Sequence, residues 1–186
     1  MLSKLFKPRL KLVCFDLDNT LYDFALAEAE TEVYLAELIS KRFKKPAKNI
    51  LSKFIEIKKK HLHNDIDPNN YSRALWISEL FRDLKIKLNS LDSKEYEGKY
   101  WEYLNPRVKI FPETMNVLEN LRKKYKIACL SDSDGEKQIK IERINALGLN
   151  KYFDYMITTD DTGKNKPSAE NYEYLLKISG LKPASA

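Results

Sequence analysis

Residues 11–16, Lys-Leu-Val-Cys-Phe-Asp, form an unbroken apolar run that ends in a carboxylate. Such a run predicts a strand buried on both faces, the kind found in parallel sheets and not in half-solvated hairpins. Two more runs follow much later: Lys-Ile-Ala-Cys-Leu at 126–130 and the shorter Tyr-Met-Ile-Thr at 155–158. A helical pattern at 136–147, stopped by Gly148 as a left-handed cap, separates them. Another, opened by Ser168 as N-cap, carries Tyr172, Leu175 and Leu176 and stops at Gly180. Pro112 opens a further helix before the second strand, with Met115, Leu118, Leu121 and Tyr125 on its apolar face. Strands alternating with helices imply parallel pairing with right-handed crossovers, so the chain is predicted to be α/β.

A helical stretch interrupts this unit just after its first strand. Residues 24–43, 47–63, 71–88 and 92–104 read as four helices, punctuated by Pro46, Pro68 and Pro106. In the third, Leu75, Ile77, Leu80, Phe81 and Leu84 fall near one face. Four such patterns with short joints predict a small bundle. Trp76, Trp101 and the many tyrosines are read as its core, and Tyr71 and Arg73 are weighed as residues facing a substrate. His61 and His63 point to different sides of a helix and make no metal pair.

The chain has 186 residues, 43% apolar and 32% charged, with a net charge of +6. Those proportions exclude a disordered tail and fit one domain, or one core with an insertion. No apolar run approaches the ~20 residues of a membrane span, and residues 1–11 lack the apolar core of a signal peptide. A cytoplasmic, non-membrane protein is expected. The lysines are scattered among acids, and clusters such as Lys58-Lys59-Lys60 read as solvated helix faces, which argues against a nucleic-acid partner. The two cysteines, Cys14 and Cys129, sit in apolar runs and are expected to be reduced core residues. No Walker loop, dinucleotide fingerprint or Ser-His-Asp set is present.

In an open parallel sheet, ligands bind beyond the C-terminal ends of the strands. The first strand is followed by Asp16-Leu17-Asp18-Asn19-Thr20, the second by Ser131-Asp132-Ser133-Asp134-Gly135, and the third by a loop containing Lys164 and Lys166. Carboxylates, a small hydroxyl and a lysine aimed at one rim suit phosphoryl transfer. A carboxylate can attack phosphorus, Mg²⁺ takes carboxylate and phosphate oxygens, and a lysine with a hydroxyl can hold the equatorial oxygens.

The ordered set Asp16-x-Asp18-x-Thr20, Ser131 and Lys166-Pro167 resembles the motifs of the haloacid dehalogenase superfamily of hydrolases, in its phosphatase branch with a helical C1-type cap. The resemblance runs the length of the chain. It implies a Rossmann-like parallel core from residues 1–21 and 109–186, with an inserted all-α cap at 22–108. It implies a Mg²⁺-dependent phosphatase that hydrolyses a small phosphorylated metabolite through an aspartyl-phosphate. By position, Asp16 is the nucleophile and a metal ligand. Asp18 is the acid toward the leaving oxygen, then the base for water, and its main-chain carbonyl ligates Mg²⁺. Ser131 and the Asp132 N–H bind phosphoryl oxygens, and Lys166 offsets charge on nucleophile and phosphate. Asp18 also separates phosphatases from dehalogenases, because halide needs no protonated leaving oxygen.

The family's fourth motif, a further strand ending in metal-binding acids beside the first strand, is not found before Ala186. The last core strands are thus expected to be absent, leaving an apolar edge open to self-association. Two expectations follow: a fragment of a longer protein, which is favoured, or a genuine short form that is weakly active or inactive and serves as a binding or assembly module. Asp160 and Asp161 are weighed as substitute ligands, with a solvated acidic loop the favoured expectation.

Overall fold

The computed structural model describes residues 10–63, 67–87 and 90–183. The chain enters through β1 (Leu12–Phe15), turns sharply, and makes the two-residue β2 (Tyr22–Asp23). Four helices follow: α1 (Ala25–Phe43), α2 (Ala47–His63), α3 (Arg73–Asp83) and α4 (Ser90–Leu104). The chain returns through β3 (Lys109–Ile110), then runs α5 (Thr114–Arg122), β4 (Lys126–Ser131), α6 (Lys137–Ala146), β5 (Tyr155–Thr158) and α7 (Ala169–Ser179).

The parallel sheet has the order β1-β4-β5. Phe15 stands opposite Cys129 and Ser131 opposite Thr158, so Asp16, Ser131 and the loop after Thr158 leave the sheet at one rim. The sequence reading did not foresee the second sheet. In it β2 pairs antiparallel with β3, Tyr22 opposite Ile110 and Asp23 opposite Lys109, which clamps the two ends of the helical insertion together. Each helix of the insertion packs on its neighbours, α1 on α2 and α4, and α3 on α2 and α4. One apolar cluster runs from Phe54, Trp76 and Tyr100 in the helices through Leu17, Tyr22 and Phe24 to Leu118, Ile127 and Ile144 against the sheet. Burial of each such large side chain is worth roughly 1.5–3 kcal/mol, so the helices and the sheet share their stability.

Several expectations need correction. β1 pairs only with β4 among the described residues, and Cys14 is exposed, not a core residue. Leu12 alone on that strand is fully buried, joining Ala128, Leu130, Ile157 and Leu175. Leu75 and Tyr172 also face solvent, because the buried stripes of their helices run through Trp76, Ile77 and Leu80 and through Asn171 and Leu175. Ser168 makes no side-chain cap bond; its hydroxyl is turned to Glu170. Lys58 is no solvated face, since its ammonium bonds Glu28 at 2.6 Å and Glu32 at 2.7 Å. Gly148 does take the expected left-handed conformation, and Gly180 takes it as well. Among the described residues no helix is long and apolar enough to cross a membrane.

Candidate active site

Asp16 is the first residue past β1, and Leu17 behind it is fully buried, which anchors the turn. The turn closes through Thr20 and Leu21 N–H groups donating to the Leu17 carbonyl. Asn19 takes a left-handed φ of 60°, which Asn tolerates, and its side-chain oxygen accepts from the N–H groups of Phe24 and Ala25 at the start of α1. This local chemistry carries the chain back into β2 and sets Tyr22 beneath Asp18. The Tyr22 hydroxyl donates to Asp18 Oδ1 at 2.7 Å. Burial, aided by the Asp18 charge, pushes the Tyr22 phenol well above its ordinary pKa, so it stays a donor.

Lys166 arrives from the loop after β5, and its Nζ lies 2.5 Å from Asp16 Oδ1 and 3.6 Å from Asp132 Oδ2. Asp132 fixes that loop by accepting the Lys166 N–H at 3.0 Å. Burial works against the Lys166 charge, but the Asp16 hydrogen bond and the Asp132 charge outweigh it and hold the ammonium above its usual pKa. Burial pushes the Asp132 carboxyl up. Ser131 ends β4 with its Oγ buried and without a hydrogen-bond partner among the described residues. A buried hydroxyl in that condition is uncommon and suits an acceptor oxygen brought by a ligand.

These groups line one side of a cavity of about 230 Å³, together with Asp18. Phe24, Glu28, Leu62, Tyr71, Arg73 and Trp76 line the other. Tyr71 and Arg73 thus face the cavity, while Trp76 serves both the core and its wall. A larger hollow, about 540 Å³, lies at the opposite ends of the strands among Lys11, Lys123, Lys124, Tyr125, Lys126 and Asp154; its one lining carboxylate, Asp154, is paired with Lys126 at 2.7 Å.

Sequence reasoning missed a second layer. Asp134 is buried between Arg143 Nη1 at 2.8 Å, Lys140 Nζ at 3.0 Å and Arg73 Nη1 at 3.7 Å. Burial would raise its carboxyl, yet Arg143, Lys140 and Arg73 together hold it well below the usual carboxylate range. Lys140 and Arg143 also reach Asp18, at 2.5 and 3.5 Å. Their signal was present but ambiguous. Positions 140, 143, 144 and 147 make one helical stripe, but its first two members are cations, which a hydropathy pattern assigns to solvent. Asp160 is exposed, as expected of a solvated acidic loop, and Asp161 is half-buried; neither lines the cavity, but both are tied down. Asp160 accepts from Ser133 and Thr158 at 2.8 Å each, and Asp161 from Lys137 at 2.6 Å, tying the loops after β4 and β5 together. His61 bonds Glu79 at 2.8 Å.

Among the described residues no group of three His, Cys, Asp or Glu side chains gathers as a metal cage. The oxygens of Asp16 and Asp18 are hard donors at the cavity, which suits Mg²⁺, an ion that keeps several waters and takes the rest of its shell from substrate phosphate.

The profile of the haloacid dehalogenase-like hydrolases matches residues 10–186. Glyceraldehyde 3-phosphate phosphatase of Methanothermobacter thermautotrophicus is 29% identical over 94% of this chain and 74% of its own length. The enzyme of the same name from Methanocaldococcus jannaschii is 30% identical over 93% of this chain and 72% of its own. A Bacillus subtilis HAD-hydrolase crystallised with magnesium superposes with a TM-score of 0.69 at 19% identity, covering 96% of this chain and 76% of that one.

Proposed function

The chain belongs to the haloacid dehalogenase-like hydrolases, and from that membership and the cavity's geometry we propose that it is a Mg²⁺-dependent phosphatase working through an aspartyl-phosphate on Asp16. The observation that carries this is the convergence of Asp16, Lys166 and the unpartnered Ser131 hydroxyl on one small cavity. An Asp16 carboxylate oxygen attacks phosphorus in line with the leaving oxygen. The P–O bond to the leaving group breaks, and Asp18 gives that oxygen its proton. Asp18, now a carboxylate, takes a proton from water, whose oxygen attacks phosphorus and returns Asp16 as a carboxylate with inorganic phosphate. Ser131 Oγ and the Asp132 N–H bind the equatorial oxygens, and the Lys166 ammonium stabilises charge shared by Asp16 and phosphoryl. The Asp16 carboxylate and the Asp18 main-chain carbonyl would hold the Mg²⁺, which when bound supplies polarisation of the phosphoryl oxygens.

Residues 22–108 act as the cap and residues 1–21 with 109–186 as the core. The β2–β3 ribbon, which begins at Tyr22 and ends at Ile110, supports that division. The cap wall of Phe24, Tyr71 and Trp76 gives the leaving group an apolar seat, with Glu28 and Arg73 as its polar partners. A cavity of about 230 Å³ fits a phosphoryl group with a short carbon chain, the size of a triose phosphate. The glyceraldehyde 3-phosphate phosphatases among the relatives favour the same size class. Replacing Asp16→Asn tests the mechanism with p-nitrophenyl phosphate and a triose phosphate as substrates. Turnover of both should vanish, and an acid-quenched single turnover of the unaltered chain with radiolabelled substrate should leave label on protein. Retained turnover in Asp16→Asn would remove the mechanism.

A further inference from the structure

Lys140 and Arg143 are both fully buried, and each touches the same two carboxylates. Two cations are expensive to bury, and an apolar pair of similar volume is often as stable or more so, so stability is a weak reason to keep them. Their placement suggests another. Both carboxylates line the cavity: Asp134 is buried in its wall, and Asp18 is the more open of the two. Resting on the phosphatase reading above, we propose that Lys140 and Arg143 are positioning residues that hold the Asp18 carboxyl group so that, in its acid form, it gives its proton to the leaving oxygen and is left as a carboxylate, with Asp134 as the anion that fixes them.

The contacts define that orientation. Lys140 Nζ sits on Oδ2 of Asp18 at 2.5 Å, the Tyr22 hydroxyl sits on Oδ1 at 2.7 Å, and Arg143 Nη1 approaches Oδ1 at 3.5 Å. Donors at both oxygens remove the freedom of the side chain's two torsions. So held, the side chain stands at the wall of the cavity that Asp18 lines. The cations are themselves held by further contacts. Arg143 Nε donates to Asn105 Oδ1 at 3.1 Å, its guanidinium lies 4.7 Å from the centre of the Phe24 ring, and Asp134 holds both heads. A general acid works only within hydrogen-bond reach of the oxygen it protonates, and small misplacements are costly in rate.

The test uses leaving groups of unequal need for a proton. Dinitrophenolate departs without one, whereas the alkoxide of glycerol 3-phosphate does not. The comparison uses kcat/KM, which covers only the steps up to transfer onto Asp16, so the later activation of water by Asp18 does not enter. Lys140→Met should lower kcat/KM for glycerol 3-phosphate on the order of 100-fold, the low end of what general acid catalysis supplies, and for dinitrophenyl phosphate only a few-fold. The milder Tyr22→Phe, which keeps the ring and removes one donor, should shift the same ratio in the same direction by about tenfold. Asp18→Asn gives the reference pattern. Equal losses with both substrates in Lys140→Met and Tyr22→Phe would show a merely structural role and overturn the proposal. Should the chain hydrolyse neither phosphate, or should Asp16→Asn stay active, the phosphatase reading itself fails and the proposal falls with it.

Discussion

Lys166 Nζ lies 2.5 Å from Asp16 Oδ1, a contact between residues 150 positions apart in the chain. The sheet makes it, since Asp16 follows β1, Lys166 follows β5, and β4 holds the two strands apart by one strand width on either side. The ammonium thus faces the carboxylate that, in the proposed mechanism, attacks phosphorus. Lys166→Met should lower turnover of p-nitrophenyl phosphate by about 10²–10³-fold, the range for loss of one preorganised donor. Steady-state kinetics checks this, with kcat expected to carry more of the loss than KM.

Ser131 offers a cleaner separation of function from stability. Its Oγ is buried and unpartnered among the described residues, so no hydrogen bond between them depends on it. Ser131→Ala should leave the melting temperature unchanged or slightly higher, because a buried hydroxyl without a partner is removed. Turnover should fall by about tenfold or more. A variant with lower stability and full activity would contradict both halves of this expectation.

The parts of the site that could be read from sequence share a property. Asp16, Ser131 and Lys166 lie at or beyond the C-terminal end of a short apolar strand, and parallel pairing brings strand ends to one rim whatever the details of packing. Helix α2 and strand β5 were legible for a similar reason, since local pattern alone decides their limits. What stayed hidden depends on several distant segments meeting. Asp134 is buried only because α3 brings Arg73 and α6 brings Lys140 and Arg143 to it. Lys58 leaves solvent only because α1 presents Glu28 and Glu32. The β2–β3 ribbon is too short to carry any periodicity. The apolar run of β1 overstated burial because hydropathy does not report which neighbours a strand has.

The Asp134 cluster gives the fold a pH dependence with a definite sign. Arg143, Lys140 and Arg73 hold the folded-state pKa of Asp134 below its unfolded value of about 3.9. A depressed carboxylate contributes stability that is present above the unfolded pKa and lost as pH falls toward the folded one. Melting temperature should therefore decline as pH is lowered below about 4, and Asp134→Asn should flatten that decline. At neutral pH the same variant should be less stable by about 3–5 kcal/mol, since it leaves buried cations uncompensated. Denaturant titrations at pH 7 and pH 3 measure both effects.

Gly135 marks where the helical insertion rests on the loop after β4. A Cβ there would stand 2.8 Å from the Cα of Ser72, a backbone atom that cannot yield without moving the start of α3. The same glycine has a φ of 100°, a conformation that L side chains rarely adopt. Ser72 caps α3, accepting from the Leu75 N–H, and Arg73 beside it reaches Asp134. Displacement of Ser72 therefore carries Arg73 away from Asp134 and opens the cavity wall that Arg73 and Trp76 form. Gly135→Ala should destabilise the chain by about 1–3 kcal/mol through backbone strain. Beyond that loss, on the proposed reading it should raise KM for a triose phosphate, whose leaving group would meet the displaced wall. Hydrogen exchange at the first turn of α3 separates the two causes: faster exchange confined to Ser72–Trp76 would follow displacement of the insertion, and faster exchange spread evenly over β4 and α6 would follow strain alone.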